Sequence, residues 1–163
     1  MSRQISNSSD RDKAGDPAVA ARQAWMATLA KAPLPELERA WSDLSPQPGF
    51  TRLRPAETGL VMVRGRISGS GQPFNLGEMT MTRAAVRLED GSTGFGHVAG
   101  RSTRHAELAA LFDALLQDPA RHDELVVRVV RPLADRAAAD RRLKASEVAA
   151  TKVDFFTLVR GEN

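Results

Sequence analysis

Residues 78–99 read EMTMTRAAVRLEDGSTGFGHVA, and the fold turns on how this stretch is read. Thr80, Thr82, Ala84, Val86 and Leu88 alternate with Met79, Met81, Arg83, Ala85 and Arg87. A period of two sends successive side chains to opposite faces of a strand, so the first half predicts a strand with an apolar face. Asp90-Gly91 then supplies the positive φ that a tight antiparallel connection needs, and Thr93 to Ala99 returns as a second strand.

Working backwards, Phe50 to Arg54 and Thr58 to Ser68 are rich in Val and Leu and fit no helical period, so both are expected as strands. In the second, Val61, Val63 and Ile67 share one face, and Leu60, Met62, Arg64 and Arg66 the other. Ser68-Gly69-Ser70-Gly71-Gln72-Pro73 reads as a turn, and Ser45-Pro46-Gln47-Pro48-Gly49 as another. Ahead of them stand two helices. Asp16-Pro17 is a helix start, with a capping carboxylate and a proline at the first position. That helix should run to about Lys31 and present a surface of small alanines. Pro33 and Pro35 begin a shorter one that carries Leu37, Trp41 and Leu44 on one side. Residues 1–15 are polar, with little to bury, and are expected to form a tail.

Forwards of the hairpin, Ser102 or Thr103 can cap a helix bearing Leu108, Leu111, Phe112 and Leu115. Leu125 to Val130 is β-branched and ends before Pro132, which predicts a strand. Residues 134–150 should be helical with a weak, alanine-rich stripe. Val153, Phe155, Thr157 and Val159 alternate with Asp154, Phe156, Leu158 and Arg160, a strand apolar on both faces that needs cover on both. Phe155, Phe156 and Arg160 are therefore expected at an interface. The order of elements predicts an α+β fold in which a mostly antiparallel sheet carries an N-terminal helical pair and packing helices, as one domain over residues 16–163.

Composition narrows the chemistry. With no cysteine among 163 residues, disulfides, thiolate zinc sites and cysteine-held iron–sulfur clusters are impossible in this chain. A net charge of +3, no Tyr, and no interleaving of basic with aromatic residues argue against nucleic acid as a partner. Neither a secretory signal nor a membrane span is legible, so the cytoplasm is the expected location.

Of the three histidines, His97 belongs to a strand, His122 to a polar connection, and His105 to Arg101-Ser102-Thr103-Arg104-His105-Ala106-Glu107 at a helix start. Arg101, Arg104 and unpaired helix amides could hold a phosphate there, with Arg83 as a further ligand-binding candidate. Alternatively, Glu107 only complements the helix dipole while the arginines are solvated. His105 and Glu107 are the catalytic candidates, as a proton shuttle and its partner. No nucleophile is visible beside them, and their spacing does not support a metal site. Gly69-Ser70-Gly71 lacks the ending of a nucleotide-binding loop, so no cofactor is expected in this chain.

Several separated blocks occur in order: Ala56-Glu57-Thr58-Gly59-Leu60-Val61, Phe74-Asn75-Leu76-Gly77-Glu78, Thr82-Arg83-Ala84-Ala85-Val86-Arg87-Leu88, Gly100-Arg101, His105-Ala106-Glu107 and Val153-Asp154-Phe155-Phe156-Thr157-Leu158-Val159-Arg160-Gly161-Glu162. Together they resemble the PhnG family of carbon–phosphorus lyase core subunits, from about Arg22 to the C-terminus. The resemblance implies a complex with three other subunits in two copies each, among them a nucleosidase-like subunit and a radical iron–sulfur subunit. It further implies that ATP and a phosphonate are substrates of the complex, the phosphonate displacing adenine to give a ribose phosphonate triphosphate before the carbon–phosphorus bond is broken elsewhere. Ser102 stands where the family pattern leads one to expect an acid after Gly-Arg, so no catalytic residue carries over. The competing reading is a stand-alone anion-binding enzyme that uses His105, Glu107 and Arg101.

Overall fold

In the computed structural model, which describes residues 16–66 and 71–150, the elements run α1 (Pro17–Leu29), α2 (Leu34–Ser42), β1 (Phe50–Arg66), β2 (Pro73–Leu88), β3 (Thr93–Ala99), α3 (Thr103–Leu115), α4 (Pro119–Leu125), a π-helical turn (Val126–Val130) and α5 (Arg131–Ala150). The fold is α+β. Its sheet is antiparallel throughout, in the order β1-β2-β3. The expected tail (1–15), part of the turn after Arg66, and the C-terminal strand with Phe155, Phe156 and Arg160 lie outside the described residues.

The hairpin forms as its pattern dictates. Gly91 takes φ +90° and donates its amide to the Leu88 carbonyl, while Asp90 accepts from the Ser92 amide. Thr82, Ala84, Val86 and Leu88 are buried, whereas the intervening residues of β2 face outward. The two strands expected at Phe50–Arg54 and Thr58–Ser68 are one, because register shifts between Arg52 and Arg54 and between Arg54 and Glu57 absorb Pro55. A proline survives there because β1 is an edge strand.

α3 lies across the inner face of the sheet and is buried on every side from His105 to Leu115. A helix apolar all round belongs in a core. Leu108, Leu111, Phe112 and Leu115 meet Val86, Leu88 and Val98 from the sheet, Trp25 and Leu29 from α1, and Leu37 and Trp41 from α2. Trp41 stands edge-on to both Phe50 and Phe112. The cap residues behave as read: Asp16 accepts from Ala18, and Ser102 from His105.

The strand expected at Leu125 to Val130 is overturned, since the chain is helical from Pro119 to Ala150. Leu125, Val129 and Leu133 recur at four-residue spacing and are buried against the core, while Val127 is exposed. Burial of that stripe outweighs the β-propensity of the valines, which records fit to a pleated surface and no sheet edge is offered here. Nor does Pro132 end the helix. Just before it the ladder widens to a π-turn, the Arg131 amide donating to the Val126 carbonyl five residues back, and a π-turn is a recognised way for a helix to accommodate a disruption of its ladder. His122 accordingly sits in α4 and not in a polar connection; its Nδ1 bonds the Leu116 carbonyl at 2.7 Å, and its ring lies edge-on to Trp25.

Two parts leave the body. Beyond Thr58 and Thr82, β1 and β2 continue as a two-stranded ribbon that α3 does not cover, with Leu60 (65%), Met62 (51%) and Leu76 (60%) exposed. The far part of α5, residues 139–149, is exposed on all sides. Among the described residues no helix is long and apolar enough to cross a membrane.

Candidate functional site

The start of α3 gathers both residues named for catalysis, and both are engaged in holding the fold. His105 is 8% exposed, and its Nε2 donates to the Leu29 carbonyl at 2.8 Å, which ties α3 to the end of α1. Glu107 is clamped between Arg52 of β1 (2.5 Å) and Arg104 one helical turn back (3.2 Å), so its carboxylate joins the sheet to the helix. The hydrogen bond that Arg52 donates to Glu107, and then the charge of that carboxylate, hold the guanidinium pKa above its usual range against a lesser desolvation effect. Arg104 also approaches Glu38 of α2 at 3.9 Å.

The three arginines named for ligand binding do not converge. Arg104 faces Glu107 and Glu38, while Arg101 is exposed in the bend before α3. Arg83 projects from the opposite face of the sheet, where it pairs with Glu57 at 2.8 Å across the β1–β2 ladder. His97 lies beside it on that outer face, opposite Arg83 in register.

Sequence reading missed a larger polar cluster one turn and a half along α3. Asp113 is fully buried and accepts from Arg22 Nε (3.1 Å) and Nη2 (2.7 Å), Trp25 Nε1 (2.9 Å) and the Phe95 amide (2.9 Å). Gln117 bonds the Thr93 and Asp113 carbonyls, and Arg22 lies 5.8 Å from the Phe95 ring centre. The signal was present in Glu107-Leu108-Ala109-Ala110-Leu111-Phe112-Asp113-Ala114-Leu115, where one acid stands in an apolar run and must find donors if the run is buried. Among the described residues every buried side-chain nitrogen and oxygen has a partner.

A groove between α2 and the α4–α5 helix has Leu44, Leu125, Val129 and Leu133 at its floor and Arg39, Glu124 and Arg128 at its rim, well apart from His105. Glu36 and Arg136 pair across its end. Chemically, the buried carboxylates and His105 fasten elements together. None stands free toward a cavity with a nucleophile beside it, which is what acid–base or covalent catalysis requires.

His105→Ala should therefore lower stability by about 0.5–1.5 kcal/mol, because the hydrogen bond that ties α3 to the end of α1 is lost and the Leu29 carbonyl keeps only the Ala32 amide as a donor. Chemical denaturation measures this. If the variant unfolds at the same denaturant concentration as the parent, the structural role is wrong.

A family model described as phosphonate metabolism protein PhnG matches residues 20–161. A Rhizobium meliloti (strain 1021) protein named alpha-D-ribose 1-methylphosphonate 5-triphosphate synthase subunit PhnG is 50% identical over 148 residues, which cover 91% of this chain and 94% of that protein.

Proposed function

The chain belongs to the PhnG family of phosphonate metabolism proteins, and from that premise we propose that it is a subunit of an alpha-D-ribose 1-methylphosphonate 5-triphosphate synthase. The observation that carries the proposal is the half-identity, nearly end to end, with a protein so named. In the reaction, a phosphonate oxygen bonds to the ribose C1′ of ATP as the glycosidic bond to adenine breaks, and adenine leaves. The partners are the other core subunits, a nucleosidase-like chain and a radical iron–sulfur chain, two copies of each, in the cytoplasm. ATP and the phosphonate bind to the complex.

Two features favour a dependent subunit over an enzyme complete in itself. His105 and Glu107 are already engaged, so the stand-alone reading with His105, Glu107 and Arg101 finds no free acid–base pair. Residues 139–149 of α5, about 16 Å of helix, are exposed on all sides, and a helix in a folded protein takes most of its stability from a packed face. Phe155, Phe156 and Arg160, further along the sequence, are interface residues in this reading. Arg101, Arg104 and Arg83 keep a role as anion contacts at subunit boundaries.

Adenine release from ATP and methylphosphonate tests the proposal. The purified chain alone should release none, and the co-expressed assembly should release it. Full turnover by the lone chain would refute the subunit reading.

A further inference from the structure

The body of the sheet has a rule that its extension breaks. Phe50, Arg52 and Thr58 of β1 pair with Leu88, Val86 and Thr82 of β2, and all of these lie on the face beneath α3. The same face continues outward as Leu60 opposite Thr80, Met62 opposite Glu78, and Arg64 opposite Asn75, with Arg66 at the end. Nothing among the described residues covers it. The other face of the ribbon is also apolar, with Val61, Val63 and Met79 beside Phe74 and Leu76. An extra residue in β2, at the register shift between Val63 and Arg64, sets Leu76 over Gly65 on that side. A two-stranded ribbon is marginal in water by itself, and a long apolar one with two free edges invites association.

Charge identifies what covers it. In the body, three of the four sheet arginines have carboxylates at hand: Arg52 meets Glu107 of α3, while Arg54 and Arg83 meet Glu57, and only the outward-facing Arg87 has none among the described residues. On the ribbon, no carboxylate among the described residues pairs with Arg64 or Arg66, which flank Leu60 and Met62 on the inner face. A second copy presents the same two arginines against a single carboxylate, Glu78, so two such faces would meet with an excess of positive charge. The end of α5, with Arg141, Arg142 and Lys144 against Asp140 and Glu147, adds no excess of acid.

We infer that the inner face of the ribbon, Leu60 and Met62 with Arg64 and Arg66, docks on a surface of another synthase subunit that is apolar at its centre and carries carboxylates at its edge. That surface completes the layer that α3 and Glu107 begin. The inference rests on the subunit reading above and adds where the subunit is held.

The test uses the co-expressed synthase assembly and the isolated chain, each followed by hydrogen exchange and native mass. In the assembly, ribbon amides at 59–65 and 74–79 should exchange at least roughly tenfold more slowly than in the isolated chain. Replacing both arginines (Arg64→Glu with Arg66→Glu) should weaken assembly at least roughly tenfold, since like charges then face each other. Leu60→Ser with Met62→Ser should weaken it as well. Because all four side chains are exposed, the isolated variants should melt with the parent.

An assembly that forms with an unprotected ribbon, or that tolerates both double variants, overturns this inference and leaves the subunit reading standing. If no assembly forms with the parent chain, the subunit reading itself has failed. A ribbon protected in the isolated chain overturns the inference in either form: a monomer mass assigns the face to residues 151–163, and a dimer mass assigns it to a second copy.

Discussion

Asp113→Ala should remove about 3–5 kcal/mol of stability, the range seen when one partner of a buried ion pair is deleted. Four hydrogen bonds converge on this fully buried carboxylate of α3 from two other elements, α1 through Arg22 and Trp25 and β3 through the Phe95 amide. Deleting it strands the Trp25 indole N–H and the Phe95 amide without an acceptor. The Arg22 side chain keeps 31% of its exposure and can turn toward water, so the lower end of the range applies to its share. Measured as a melting temperature, the loss is on the order of 10 °C for a chain of this size. Asp113→Asn separates charge from volume. It fills the same space but brings an N–H₂ group among donors, so it should be destabilising too. An Asn variant that melts with the parent would show that the cluster matters only as packing. Asp140→Ala, on the exposed part of α5, is the control and should change little.

The same cluster shows what a sequence can and cannot disclose. Period-two alternation and one turn residue at Gly91 are local, and they placed the hairpin, its inner face and the helix that follows with little error. Cap chemistry is equally local, which is why Asp16 and Ser102 were legible. Val126 to Val130 defeated the same method because local preference and tertiary burial disagreed there. A stripe at Leu125, Val129 and Leu133 spans the whole interval, and only a reading that carried the four-residue spacing through Pro132 would have caught it.

The candidate site was legible as a set of residue types and not as an arrangement. His105 finds its partner 76 residues away, and Glu107 reaches 55 residues to Arg52, separations at which no spacing rule operates. Arg83 and Arg104 looked alike in the sequence as free cations. The sheet lies between them, and each already has a carboxylate. The side chains of His105, Glu107 and Arg104 join α1, α2, α3 and β1, while Arg101 stays exposed beside them.

Gly96→Ala, like Gly94→Ala beside it, should be severely damaging, because the added methyl group has no room under α3. Residues Ala106, Ala110 and Ala114 form the stripe of α3 that rides over β3, and the approach is so close that the sheet has glycine opposite each gap. A Cβ at Gly96 would press into the Ala106 carbonyl oxygen and stand 3.0 Å from the Ala110 amide nitrogen; one at Gly94 would meet the Ala110 carbonyl and come within 2.9 Å of the Ala114 methyl. The obstructing atoms are mainly helix backbone, so no rotamer change relieves the clash and α3 must lift. Lifting it opens the layer that holds Leu108, Leu111, Phe112 and Leu115, so the loss should exceed the roughly 1–3 kcal/mol typical of overpacking. The expected readout is poor soluble yield, or a melting temperature lower by more than about 10 °C. Gly59→Ala, where a Cβ meets nothing, should be harmless. The double variant with Gly94→Ala should fall short of the sum of the two, because one displacement of α3 accommodates both methyl groups. Strict additivity, or a Gly96→Ala protein as stable as the parent, would mean that α3 does not rest on β3 as closely as these contacts require.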